Sequence, residues 1–261
     1  MNIEIPEALE TAISGLRTKE QVEGVLAIGS LANHTLTPAS DYDLAIVLRD
    51  VECAWYVGVT AIQERFTDLL FVSDNALRQI QEQVSPLSDA HELAPVIRWF
   101  ERGVILFDRS GQLASAQQHV QQYSLVQPIS DAAAYGAWFA TNYNLAIACR
   151  LCQSPAPRDQ AVADIRMAVY GHADVWFNYF TIRHIPWKGD KAAVNYLSES
   201  DPGYLELYQS LVKTTDRAAK LECYRRAAAH VTAPLGGLWA FPVDVTNVQS
   251  PPWTWADLMA V

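Results

Sequence analysis

The sequence is poor in cysteine, in positive charge and in long apolar runs. Its 261 residues include four cysteines, and these lack the two-pair spacing of a zinc site. The pair Cys149-x-x-Cys152 lies in an apolar helical stretch, which favours small buried side chains over a redox or metal role. No apolar run reaches the roughly 18 residues of a membrane span, and the first residues lack a secretion signal. We therefore expect a cytoplasmic, reduced protein with no membrane partner.

Positive charge is scarce, with 19 Lys and Arg against 29 Asp and Glu and a formal net charge of −10. Residues 1–110 carry 17 acidic and 8 basic side chains, whereas residues 111–261 carry 12 and 11. Because an acidic surface repels phosphate backbones, we expect no generic nucleic-acid binding. Apolar residues make up 50% of the chain, which excludes a disordered protein and allows a sizeable core.

Apolar patterning predicts an α/β core followed by a helical domain. Short apolar runs typical of buried strands occupy 25–28, 44–48, 69–72 and 104–107. The remaining patterns of this half predict helices at 6–22, 52–65 and 89–102. We expect a mixed β-sheet with flanking helices, forming a catalytic domain over residues 1–110.

Helical spacing dominates the rest of the chain and predicts a bundle of four or five helices. The helical stretches are 131–152, 159–184, 190–198 and 203–231. The connection is expected around residues 110–128. The α-helical domain then covers residues 111–261, with an irregular Trp- and Pro-rich tail from about residue 234.

Polar residues that suit ligand binding or catalysis follow the first strand and stand at the start of the next two. Gly29-Ser30 ends the first strand, where an absent side chain and free donors suit a phosphate. Asp41 and Asp43 open the second strand and, two residues apart, project from one face. Asp68 leads the third strand. Clustered carboxylates repel each other unless a divalent cation binds between them, and such oxygen ligands suit Mg²⁺.

Each of these features alone is typical of an ordinary turn with solvated charges. Their joint occurrence, with a ten-residue spacer between Ser30 and Asp41, favours a functional site. The pattern resembles the signature of the DNA-polymerase-β-like nucleotidyltransferase superfamily, over about residues 20–110. The length and the following helical domain look most like the antibiotic nucleotidyltransferases that adenylylate aminoglycosides.

This resemblance implies a role for each matching position. Gly29 and Ser30 would hold a triphosphate, and Asp41 and Asp43 would bind one or two Mg²⁺ ions as catalytic residues. Asp68 stands at the position of the family's third carboxylate, where it would act either as general base or as ligand of a second metal.

The resemblance also implies phosphate contacts from the second domain. In two-domain relatives, basic residues of the helical domain reach across the cleft to the β- and γ-phosphates. Lys188 and Lys191 are the candidates for this role here. The alternative is a pair of ordinary solvated lysines at a helix end.

The function implied is Mg²⁺-dependent transfer of a nucleoside monophosphate, AMP from ATP, to a hydroxyl of a small molecule such as an aminoglycoside. Two rivals stay open. One is transfer to a protein or a tRNA, as in toxin–antitoxin relatives, and the other is a non-catalytic nucleotide-binding role.

Overall fold

The computed structural model describes residues 5–240, 245–251, 257 and 259. Contacts divide the chain into two compact units, Met1–Gln127 and Pro128–Val261. In the described ranges, no helix is both long enough and apolar enough to cross a membrane.

The first unit is built on one five-stranded sheet with the order β3-β4-β2-β1-β5. Neighbouring strands are antiparallel except for β2 and β4, which run parallel. The elements in chain order are α1 (Glu7–Arg17), β1 (Val22–Ile28), α2 (Gly29–Ala32), β2 (Tyr42–Leu48), β3 (Trp55–Ile62), β4 (Arg65–Ser73), α3 (Asp74–Glu82), α4 (Ala94–Arg102), β5 (Val104–Asp108) and α5 (Gln112–Gln122). The predicted fold class, a mixed sheet with flanking helices followed by a helical part, is confirmed.

The central strand β2 is apolar on both faces because helices cover both sides of the sheet. Leu44 and Ile46 belong to one apolar cluster with residues of α1 and α2. Ala45 and Val47 point the opposite way, into a cluster formed with α3, α4 and α5. Asp43 has the same parity as Ala45, so its carboxylate shares the face of α3 to α5.

Residues 52–65 are not the helix that the sequence pattern predicts. They contain strand β3 and the turn into β4, in which Ile62 pairs with Arg65. The two turn residues, Gln63 and Glu64, have positive φ angles of 48° and 65°, the conformation that matches the twist of a hairpin. The prediction was wrong because this turn lacks the usual Asn-Gly signal, and short apolar spacings fit a helix and a strand alike.

Helix α5 packs with the sheet of the first unit. Leu113, Ala116 and Val120 are buried in the apolar cluster of α3 and α4. The side-chain amide of Gln117 donates to the carbonyl oxygens of Phe100 (2.9 Å) and Gly103 (2.8 Å).

The second unit is helical. Its α-helices are α6 (Asp131–Cys152), α7 (Pro157–Arg166), α8 (His172–Ile182), α9 (Asp190–Ser200), α10 (Pro202–Lys213) and α11 (Arg217–Thr232). A π-helical segment, Met167–Gly171, joins α7 to α8, so the described part of this unit contains five continuous helical stretches. A short 3₁₀ turn, Ala233–Leu235, follows, and residues 236–240 and 245–251 form neither helix nor strand. Residues 252–255 of the Trp- and Pro-rich tail lie outside the described residues.

Both cysteines of the Cys149-x-x-Cys152 pair are half-buried on α6. Burial raises the pKa of each thiol, and nearby arginines oppose this only in part. The thiols are therefore protonated at neutral pH, which disfavours thiolate chemistry.

A polar chain inside the second unit links three helices. The Asn144 side-chain amide donates to the Asp174 carboxylate (2.6 Å), and the Arg166 guanidinium donates to the Asn144 amide oxygen (3.0 Å). Burial raises the pKa of Asp174 to about 6, although the Asn144 hydrogen bond and the Arg166 charge both lower it. The folded protein therefore holds this proton more tightly than the unfolded chain does.

Replacing Asp174 by Asn is expected to stabilise the protein at high pH. Because the folded-state pKa lies above the ordinary value of 3.8, the wild type loses stability as pH rises between these two values. The variant has no proton to lose, so its gain in Tm is expected to be larger at about pH 8 than at about pH 4. Thermal unfolding at both pH values, with the exposed Glu199→Gln as control, measures this. An equal shift of Tm at both pH values would contradict it.

Candidate active site

Three carboxylates come together where β2 and β4 begin. Asp41 precedes β2, Asp43 is the second residue of that strand, and the two side chains share one face. Asp68 on β4 is the register partner of Asp43 in the parallel pair. One oxygen of each half-buried carboxylate lies within 4.8 Å of those of the other two.

This cluster fits a divalent cation. Three negative charges at such short range repel each other, and a bound cation removes the repulsion. Carboxylate oxygens are the ligands that Mg²⁺ prefers. Throughout the part of the chain that the structure describes, no other group of three or more His, Cys, Asp or Glu side chains is so arranged.

Gly29 lies directly against the cluster at the end of β1. The preceding residue, Ile28, is the register partner of Asp43 across the antiparallel pair. Gly29 has a φ of +58°, and a Cβ at this position would overlap the Asp43 carboxylate. Glycine is required here both for the left-handed backbone and for the space beside the carboxylate.

Ser30 supplies a hydroxyl that no described residue satisfies. Its Oγ is buried and has no hydrogen-bond partner within the described ranges. Its carbonyl oxygen accepts from the Thr35 backbone N–H (2.9 Å), which closes the turn after β1. A buried unpaired hydroxyl costs stability, so its retention next to the carboxylates fits a polar ligand such as a phosphate.

Arg65 is a residue of the site that the sequence analysis missed. Its guanidinium donates to the carbonyl oxygens of Thr37 (2.8 Å) and Ser40, and it lies over the Tyr42 ring at 5.0 Å. It thus fixes the segment that leads into Asp41. An arginine after a hairpin turn carries no sequence signal, because its partners are backbone carbonyls of a distant segment.

The two predicted phosphate-binding lysines both belong to the second unit. Lys188 is exposed in the segment between α8 and α9, and Lys191 is exposed in the first turn of α9. Their contact with a triphosphate stays a prediction.

Residues 9–109 match the family model described as a nucleotidyltransferase domain. The match lies wholly within the first unit, from α1 to the segment after β5, and includes Gly29, Ser30 and the three carboxylates. It supports nucleotidyl transfer in general and carries no information about the acceptor.

A nucleotidyltransferase-like protein from Exiguobacterium sibiricum 255-15, solved by crystallography, is similar with a TM-score of 0.40 and 13% sequence identity. The similarity covers 87% of this chain and 74% of that one. No curated protein matches the sequence.

Replacing Gly29 by Ala is expected to weaken both folding and ligand binding. A left-handed alanine costs about 1–2 kcal/mol, and its methyl group would displace the Asp43 carboxylate. Tm should fall, and binding of Mg²⁺-ATP measured by calorimetry should be lost. The matched control is Gly15→Ala in α1, where a Cβ meets nothing within 4 Å and Tm should not fall. Binding unchanged in Gly29→Ala would contradict the role assigned to this turn.

Replacing Ser30 by Ala is expected to leave stability unchanged or raised while lowering nucleotide affinity about tenfold. The hydroxyl makes no hydrogen bond with a described residue, so its removal costs the fold nothing. Ser40→Ala is the control with the opposite behaviour, since Ser40 Oγ accepts from the Thr37 backbone N–H (3.0 Å) and its loss should lower Tm. A drop in Tm for Ser30→Ala without a change in affinity would mean that the hydroxyl serves the fold.

Proposed function

We propose that this protein transfers a nucleoside monophosphate, AMP from ATP, to a hydroxyl group of a small molecule and releases pyrophosphate. The observation that carries the proposal is the cluster of Asp41, Asp43 and Asp68 directly beside the Gly29-Ser30 turn. The match of this region to nucleotidyltransferase domains supports nucleotidyl transfer in general. A cytoplasmic location stays a prediction from the sequence.

The chain's own residues would first hold the triphosphate. In this proposal Ser30 Oγ, which has no partner among the described residues, donates to a phosphate oxygen, while Gly29 lets the backbone lie directly against the Asp43 carboxylate. Asp41 and Asp43 would hold Mg²⁺, which when bound supplies positive charge to the phosphates. In this proposal Lys188 and Lys191 add charge at the β- and γ-phosphates.

The reaction is a displacement at the α-phosphorus. The acceptor oxygen forms a new bond to that phosphorus, and the bond from the phosphorus to the oxygen shared with the β-phosphate breaks. Pyrophosphate leaves with the bonding electron pair. Asp68 is the chain's candidate to take the hydroxyl proton, because its carboxylate lies next to Asp43 on the side away from Gly29.

Replacing Asp41 by Asn is expected to reduce pyrophosphate release by roughly a hundredfold or more, because it removes a charge from the cluster without changing its size. The measurement is pyrophosphate release from ATP and Mg²⁺ with aminoglycosides, lincosamides, tRNA and cell extract as acceptors. Asp50→Asn is the matched control, since Asp50 is exposed and lies outside the cluster. Its left-handed φ of 57° also suits asparagine.

Two outcomes would count against the proposal. Release that persists in Asp41→Asn would mean that the carboxylates do not carry the chemistry. Nucleotide binding without release, for any acceptor in the panel, would favour the non-catalytic rival.

A further inference from the structure

An exposed apolar strip lies beside the carboxylates on the same face of the sheet. It consists of Val57, Val59 and Ala61 on β3 and Phe66 on β4. The exposed fractions of Val57, Val59 and Phe66 are 53%, 63% and 55%. The pairing of Ala61 with Phe66 and of Val59 with Asp68 places the strip and the Asp68 carboxylate on one face.

Helices cover this face only in part. Farther along β3 and β4, Trp55 and Leu70 pack against the apolar cluster formed with α3, α4 and α5. The strip lies beyond that layer. Contiguous apolar patches left exposed on a folded protein often belong to binding surfaces.

The strand order gives the strip a defined place relative to the proposed reaction. Across the sheet, the Gly29-Ser30 turn follows β1, Asp43 lies on β2, Asp68 on β4 and Val59 on β3. In-line displacement requires the attacking oxygen and the leaving pyrophosphate on opposite sides of the α-phosphorus. With the phosphates held at Gly29-Ser30, the hydroxyl must approach from the side of β4 and β3.

A hollow lies between one residue of the strip, Phe66, and one carboxylate of the cluster, Asp41. It has a volume of about 370 Å³ and touches both Asp41 and Phe66. The rest of its lining comes from the segment before Asp41 and from the β3–β4 hairpin. A small molecule in contact with Phe66 can therefore extend to the site of reaction.

We propose that the acceptor is a small alcohol with an apolar alkyl or aryl face, which lies on the strip while its hydroxyl reaches Asp68. This inference rests on the proposed function and narrows its substrate class. The side chains that β3 turns to this face, from Trp55 to Ala61, are all apolar and include no carboxylate to pair with an ammonium group. A polycationic aminoglycoside therefore fits the strip poorly.

The test uses the full chain with Mg²⁺ and α,β-methylene-ATP, an ATP analogue that resists nucleotidyl transfer. Saturation-transfer NMR then compares benzyl alcohol, which has an apolar face, with glycerol, which has none. We expect saturation transfer from the protein to the benzyl ring protons and none to glycerol. In the double variant Val57→Thr/Val59→Thr the benzyl signal should fall about tenfold.

The controls separate the strip from general effects. Threonine keeps the shape of valine and its strand propensity, so the double variant should fold. Val84→Thr makes the same change at an exposed valine of the first unit outside the strip, and should leave the benzyl signal unchanged. Phe66→Gln gives a second variant on the neighbouring strand and should also lose the signal.

Several outcomes would overturn the inference. One is equal benzyl transfer in wild type and double variant, and another is no transfer to benzyl alcohol while the nucleotide is bound. A third is a dimer of the wild type that the double variant breaks into monomers, since a second copy would then occupy the strip. The adenine protons report the nucleotide separately, so absence of their signal counts against the proposed function and not against the strip alone.

Discussion

The parallel pairing of β2 with β4 is the constraint on which the candidate site depends. It places Asp68 beside Asp43, although the two lie 25 positions apart in the chain. The pairing is held by apolar side chains that follow each aspartate, which are buried on β2 and mostly partly buried on β4, between two helical layers. Burial of these chains offsets the repulsion among the three carboxylates, so the fold itself supplies the energy that keeps like charges together.

Backbone conformation adds a second constraint at the same end of the sheet. Gly29 takes a left-handed conformation that brings the chain against the Asp43 carboxylate. Gln63 and Glu64 take the same conformation although neither is glycine. They form the turn that joins β3 to the antiparallel strand β4. Left-handed backbone is unfavourable for such residues, and pairing along the whole hairpin stabilises it. The turn thereby places the apolar strip beside the carboxylates.

Local pattern was sufficient for most of the elements. The runs around residues 25–28 and 44–48 are apolar throughout because both faces of their strands are buried. Such runs can be recognised in a single sequence. Residues 131–152 show helical spacing over six turns, and α6 has the same bounds. The helix prediction for residues 52–65 was wrong because β3 is an edge strand with exposed valines, so its apolar positions mark no buried face.

Spacing along the chain was enough to predict an α/β unit followed by helices, a Gly-Ser turn after the first strand, and two aspartates on one face of the second. These follow from spacing alone, since side chains alternate along a strand. The fold brings Asp68, the third carboxylate expected from the sequence, next to these two aspartates. The three-dimensional arrangement alone shows that Arg65 braces the segment before Asp41 and that Val59 and Phe66 stay exposed beside the carboxylates. Each of these depends on strand register and on where the helical layer ends. Both are fixed by packing across the whole unit and leave no trace in local spacing.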